Sequence, residues 1–203
     1  MKSLWRLGAG WQCLDSAALL LNAALMELTH RLAVPADAAA IAALMERAIL
    51  ELQRPFLTAQ QIAASKLSMG LDTQLIADGT YFAIEDGGVL VGCGGWSKRA
   101  TLYGGNHSAA LRDDRLLDPA SEPARIRAMY TDPAQVRRGI GRLILTLCEG
   151  AARAAGFTRL ELMATAAGEP LYSACGYHVI ERVERMSPDD VAVPGAVMGK
   201  SLD

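Results

Sequence analysis

Two glycines one residue apart, in "QVRRGIGRLIL" (Gln135–Leu145), run straight into an apolar helical pattern. A helix N-terminus presents unbonded backbone N–H groups and about half a positive charge. Gly139 and Gly141 remove side chains that would block an anion and allow unusual backbone angles. Arg137, Arg138 and Arg142 add cationic donors, and no acidic residue lies between Asp132 and Glu149. The stretch is either an anion-binding turn or a helix start with solvated arginines.

Three phosphate patterns compete for it. A P-loop needs Lys-Ser/Thr after its last glycine, and none follows here. The dinucleotide fingerprint G-x-G-x-x-G puts Ile144 at its third glycine, and "DPAQVRR" separates the turn from the preceding strand-like run. Glu161 lies where a ribose-binding acid would, which keeps a nucleotide-binding oxidoreductase module as a rival. The third pattern fits best. "ARIRAMYTDPAQVRRGIGRLILTLCE" resembles the phosphate loop of the GNAT superfamily of acyl-CoA-dependent N-acyltransferases, Q/R-x-x-G-x-G/A set between a strand and a helix. Gly139 and Gly141 match its glycines, and Val136 stands where Gln or Arg is usual. "GEPLYSACGYHV" resembles the superfamily's second conserved segment, with Leu171-Tyr172 ahead of Gly176-Tyr177.

That resemblance implies acetyl-CoA as the acyl-donor cosubstrate, an amine acceptor and no metal. The donor would lie in a V-shaped gap between the strands "RIRAMYT" and "RLELMAT". The backbone of Met129, Tyr130 and Thr131 would pair with the pantetheine arm. Arg137, Arg138, Gly139, Ile140, Gly141 and Arg142 would hold the pyrophosphate. Tyr172 occupies the family's acid position, where a phenol would protonate the departing thiolate; its other reading is a packing tyrosine with a satisfied hydroxyl. A backbone N–H near Met129 or Tyr130 would face the carbonyl oxygen as charge develops there. The resemblance also admits a homodimer, and CoA use implies a cytoplasmic location.

The attacking amine must be neutral, although free alkylamines are mostly protonated at pH 7. "RIRAMYT" carries no carboxylate. Glu51, Glu85 and Glu161 are bases in principle, but each reads as a surface charge, and no base is assigned. The missing base and Val136 keep open a non-catalytic acyl-CoA-binding or sensing domain. Cys93 lacks an obvious His partner and reads as a buried thiol rather than a nucleophile. Acceptor choice would fall to roughly Glu51–Gly70 and Trp96–His107, where Trp96, Tyr103 and Phe56 either form an apolar wall or pack the core.

The elements that must position these residues follow from periodicity. "ELTHRLAV", "ARIRAMYT" and "RLELMAT" read as strands, and "TYFAIEDGGVLVGCGGWSKR" as a hairpin. "PADAAAIAALMERAILEL" places Ile41, Leu44, Met45, Ala48 and Leu52 on one helical face, and "TAQQIAASKLSMG" reads as a second helix capped by Thr58. Roughly Arg138–Ala155 forms a third, with Ile140, Leu143, Ile144, Leu147, Ala151 and Ala154 as its apolar face. "EPLYSACG" is a short fourth. Thr101–Pro123 reads as a long loop, functional or mobile. Two final strands follow, the last weakened by Pro194 and Gly195. The expected architecture is α/β of the α+β type. It is a mixed, mostly antiparallel sheet of six to seven strands with a central parallel pair, flanked by about four helices.

The chain of 203 residues is 51% apolar, enough for one cored domain, and its net charge of −2 gives no global field for nucleic acid. Four scattered cysteines and three scattered histidines form no metal or redox spacing. The apolar run near the start is interrupted by Asp15 and Asn22 and is too short to span a membrane. Residues 1–25 are expected to be an N-terminal extension outside the native domain, with a single domain over 26–203.

Overall fold

The computed structural model describes residues 28–202, so the reading of residues 1–25 lies outside them. In chain order the elements are β1 Leu28–Leu32, α1 Ala38–Leu52, α2 Ala59–Ser65, α3 Thr73–Ala77, β2 Tyr81–Asp86, β3 Val89–Ser97, β4 Ala124–Thr131, α4 Ile140–Ala154, β5 Arg159–Thr165, α5 Glu169–Ala174, β6 His178–Met186 and β7 Ala192–Ser201. The seven strands form one sheet in the order β1-β2-β3-β4-β5-β7-β6, with β4 and β5 parallel and all other neighbours antiparallel. A single parallel pair is not the run of parallel crossovers that a doubly wound dinucleotide fold requires.

The sheet carries helices on both faces. α4 buries Ile140, Ile144, Leu145, Cys148 and Ala152 on one face. α1 buries Ile41, Leu44, Met45, Ala48 and Ile49 on the other. The α4 stripe is rotated from the expected one. Leu143, Leu147 and Ala151 are only partly buried and Ala154 is exposed, because the sheet lies under the 140–144–148–152 line. Gly92 and Gly94 of β3 explain how close the helix comes. A Cβ on Gly94 would stand 2.6 Å from Ile144 Cγ2, and one on Gly92 would meet Ile140.

Two further features have local causes. Helix α3 has five residues, too few to show a period; its start is the Asp72 carboxylate, which accepts from the Gln74 N–H at 3.1 Å. Of its two readings Trp96 takes the core one, packing edge-on against the distant Phe157, centroids 6.0 Å apart. β7 is the longest strand, with ten residues, and lies between β5 and β6. Pro194 is tolerated because the last β5–β7 pair is Thr165 with Gly195, beyond which that side of β7 is an edge.

The segment between β3 and β4 contains no strand or α-helix, yet it is tied down. Asn106 accepts from the Thr73 N–H and hydroxyl at 3.0 and 3.1 Å, and Ser108 Oγ donates to the Leu67 carbonyl at 3.2 Å. Arg127, 4% exposed, donates to the Thr101 carbonyl (2.8 Å), the Gly104 carbonyl (2.7 Å) and Asp72 Oδ2 (2.9 Å). One buried guanidinium thus joins β4, the start of α3 and the loop.

Candidate active site

β4 and β5 pair only from Ala124–Ile126 to Leu160–Leu162 and then part. The cause is a β-bulge. Between Gly95–Arg127 and Cys93–Tyr130, β4 takes three steps while β3 takes two. The extra residue bends the strand away from β5, and Ala128 takes a φ of 49°. The buried Tyr81 hydroxyl donates to the Ala128 carbonyl at 2.6 Å and holds the bulge. Arg127–Thr131 are left without β5 partners, and a cleft of about 760 Å³ opens there.

At one end stands the glycine turn. "DPAQ" forms a 3-10 turn in which Asp132 accepts from the Ala134 N–H at 2.9 Å and pairs with Arg47 at 2.6 Å. Arg137 (φ 67°) and Gly139 (φ 81°) both take left-handed angles before α4 begins. A Cβ on Gly139 would meet nothing within 4 Å, so its glycine answers to backbone angle, not to space. Gly141 differs: a Cβ there would stand 2.6 Å from Leu171 Cδ2, so it lets α5 close on α4. The first intrahelical bond is Leu143 N–H to Gly139 carbonyl, which leaves the N–H groups of the preceding residues at the helix mouth.

The structure gathers most of the sequence-derived residues. Met129, Tyr130, Thr131, Arg137, Gly139, Ile140, Gly141, Arg142 and Tyr172 all line the cleft. Arg138 does not; its guanidinium pairs with Asp86 at the end of β2 and donates to Gln135 Oε1, so it fastens the turn to the hairpin. Among the described residues neither Arg137 nor Arg142 forms an ion pair. Tyr172 packs edge-on to Tyr177 at 6.0 Å, and burial pushes its phenol above the usual tyrosine range, so it is protonated at neutral pH.

Among the described residues no carboxylate and no histidine line the cleft. Glu85 pairs with Arg31 at 2.8 Å, Glu161 pairs with Arg125, and Glu51 is exposed. Cys93 is fully buried and its thiol is pushed up to about 12 by desolvation, so it is no nucleophile.

The other end is assembled from distant segments. Leu52, Gln53 and Phe56 come from the end of α1 and beyond, Met69 from the chain after α2, Tyr103 from the loop, and Arg185 from β6. Phe56 and Tyr103 were legible as candidates. Gln53 and Ser68 fall inside the expected Glu51–Gly70 stretch without being singled out, and Arg185 lies outside it, because each sits in an ordinary helical, turn or strand context with no local signal.

The fold that carries this cleft is matched by known proteins. A model of the acetyltransferase (GNAT) family matches residues 43–177, more than half of the chain. The chain belongs to that family. Its fold is likewise that of a GCN5-related N-acetyltransferase from Rhodopseudomonas palustris (TM-score 0.64, 21% identity, 88% of this chain and 98% of that one). It also resembles yncA from Salmonella typhimurium, solved with its cofactor acetyl-CoA (0.58, 20%, 87% and 94%). A third likeness is the PaiA N-acetyltransferase from Thermoplasma acidophilum in complex with coenzyme A (0.58, 11%, 87% and 99%). At these identities the likeness is one of fold. No curated protein matches the chain. As a GNAT member the chain has the expected seven-stranded mixed sheet, with five α-helices among the described residues instead of about four. None of the described helices is long and apolar enough to cross a membrane.

Proposed function

We propose that the protein transfers an acetyl group from acetyl-CoA to an amine by direct attack on the thioester. The observation that carries this is one continuous cleft holding the β4–β5 wedge, the Gly139 helix start and Tyr172. The donor set fits the ligand. Exposed N–H groups at the α4 start, with unpaired Arg137 and Arg142, suit a pyrophosphate. The backbone of Met129, Tyr130 and Thr131, freed from β5, suits the amide-bearing arm. Acetyl-CoA and CoA bound in yncA and PaiA support the same assignment. Arg138 acts at one remove, holding the turn through Asp86. Use of CoA accords with a cytoplasmic setting.

The amine nitrogen bonds to the carbonyl carbon and the carbon–sulfur bond breaks. The bulge N–H at Met129 is the donor proposed for the carbonyl oxygen. Tyr172 supplies the proton that the departing sulfur takes up, the ammonium proton leaves to water, and water returns a proton to the phenolate. With no carboxylate among its described lining residues, the cleft favours the neutral amine in another way: its arginines disfavour a second positive charge beside them.

Thermal unfolding with ligands tests the binding half. Acetyl-CoA or CoA at about 100 times its dissociation constant should stabilise the protein by roughly 2.7 kcal/mol, and NAD should not; a shift with NAD alone rejects the proposal. Tyr172→Phe tests the chemistry. Thiol release should fall about a hundredfold with the CoA shift kept, and an unchanged turnover number removes Tyr172 from the mechanism. The base-free cleft also favours a second reading, a non-catalytic acyl-CoA sensor. A CoA shift without thiol release across a broad amine panel would select it.

A further inference from the structure

Four arginines line the cleft: Arg127, Arg137, Arg142 and Arg185. Arg137 and Arg142 belong to the helix-start end. Arg127 is neutralised by Asp72, itself 2% exposed. Arg185 differs from all three. It is part-buried, and among the described residues it pairs with no carboxylate. Its guanidinium carbon lies 5.0 Å from the Tyr103 ring centroid, and its Nη1 donates to Ser68 Oγ at 3.0 Å. Its Nε is buried without a partner. The ionisable groups that face it are the phenols of Tyr103 and Tyr130, and burial works against its charge.

A second unsatisfied group lines the same end. Gln53 is 3% exposed, and its Oε1 has no partner. Its orientation is set by Ser65, whose hydroxyl donates to the Ile62 carbonyl at 2.8 Å and therefore accepts from Gln53 Nε2 at 3.3 Å. Gln53 Nε2 also reaches Met69 Sδ at 3.4 Å, beside the Ser68 that Arg185 holds. The two groups thus flank one short turn: a cation lacking an anion and an oxygen lacking a donor. Leu52, Phe56, Met69 and Leu102 supply apolar wall around them.

We propose that Arg185 binds a carboxylate of the acceptor, which makes the acceptor a small amino carboxylate with an apolar body, of the free amino acid class. The inference rests on the reading above that an amine is acylated in this cleft. A buried unpaired cation is costly unless an anion completes it. A planar guanidinium matches a carboxylate in a two-bond fork. One unpaired arginine, with no helix N-terminus at this end, matches a single negative charge rather than a phosphate. Gln53 Oε1 takes an N–H of the same ligand.

The test compares apolar L-amino acids (alanine, valine, leucine, phenylalanine) with their amides, which mimic a peptide N-terminus, and with the amines lacking the carboxyl carbon. Unfolding midpoints are measured on the CoA-saturated full chain, and thiol release with acetyl-CoA. At least one amino acid should stabilise the protein and exceed its amide and amine about a hundredfold in kcat/KM. Arg185→Met should erase that preference while keeping the CoA shift and raising the midpoint of the free protein; Arg185→Lys should keep part of it. The proposal is overturned if the amides or amines serve as well, if no amino acid binds, or if Arg185→Met keeps the preference. Preferential amino acid binding without thiol release would instead sink the acyltransferase reading alone.

Discussion

The two ends of the cleft are built by different means. The helix-start end is one short run, Val136–Arg142, whose work falls to backbone N–H groups and two solvent-facing arginines. The other end draws on residues from Ala48 to Arg185 and works through side chains. A backbone site needs only a turn with the right angles, so a few residues in sequence specify it. A side-chain site needs several segments brought to one place, and its chemistry can change without disturbing the turn. The contrast recurs within the second end. Arg127 is buried and Arg185 part-buried with its Nε fully enclosed, yet Asp72 completes the first, which holds structure, while among the described residues no carboxylate completes the second.

Three measurements would break or sharpen that contrast. The largest effect concerns pH. If the acceptor end supplies charge but no base, kcat/KM should rise about tenfold per pH unit below the amine's own pKa, roughly a thousandfold over three units. Burial raises the Tyr172 phenol, so its proton, required for the departing sulfur, is lost only at a pH above the usual tyrosine value; the falling limb should lie beyond about pH 10. A plateau set by a group titrating below pH 7 would reveal a base outside the lining residues. Next comes Asp72→Ala, which leaves Arg127 buried and unpaired and should cost about 3–5 kcal/mol. It should raise the acceptor KM through the loop at Tyr103 while leaving the CoA shift. A change under 1 kcal/mol would mean the loop is held without this pair. Smallest is Gly139→Ala. Nothing crowds a Cβ there, so only the left-handed angle opposes it, at about 1–2 kcal/mol, together with weaker CoA binding. An unchanged midpoint and CoA shift would show that the turn tolerates another angle.

Legibility followed range. β4 and β5 were readable to the residue because alternation is a property of neighbours, and Thr58 marked a helix start by its own chemistry. The parallel β4–β5 pair followed from strand, helix and strand in succession. A distant partner decided where the reading differed or stayed open. The α4 stripe rotated to suit Gly92 and Gly94 on β3, Phe157 settled which of the two readings of Trp96 held, and Arg138 turns to Asp86.

What the sequence determined by itself was the order of the seven strands, four of the five described helices and the mixed sheet, because each rests on spacing within a few residues. The tertiary structure alone decided where β4 leaves β5, since the bulge depends on its register against β3 and on Tyr81 beneath it. It alone decided which arginine is neutralised. Ion pairing depends on distance in space, and Asp72 and Arg127 stand 55 residues apart in the chain while Arg185 finds no carboxylate among the described residues.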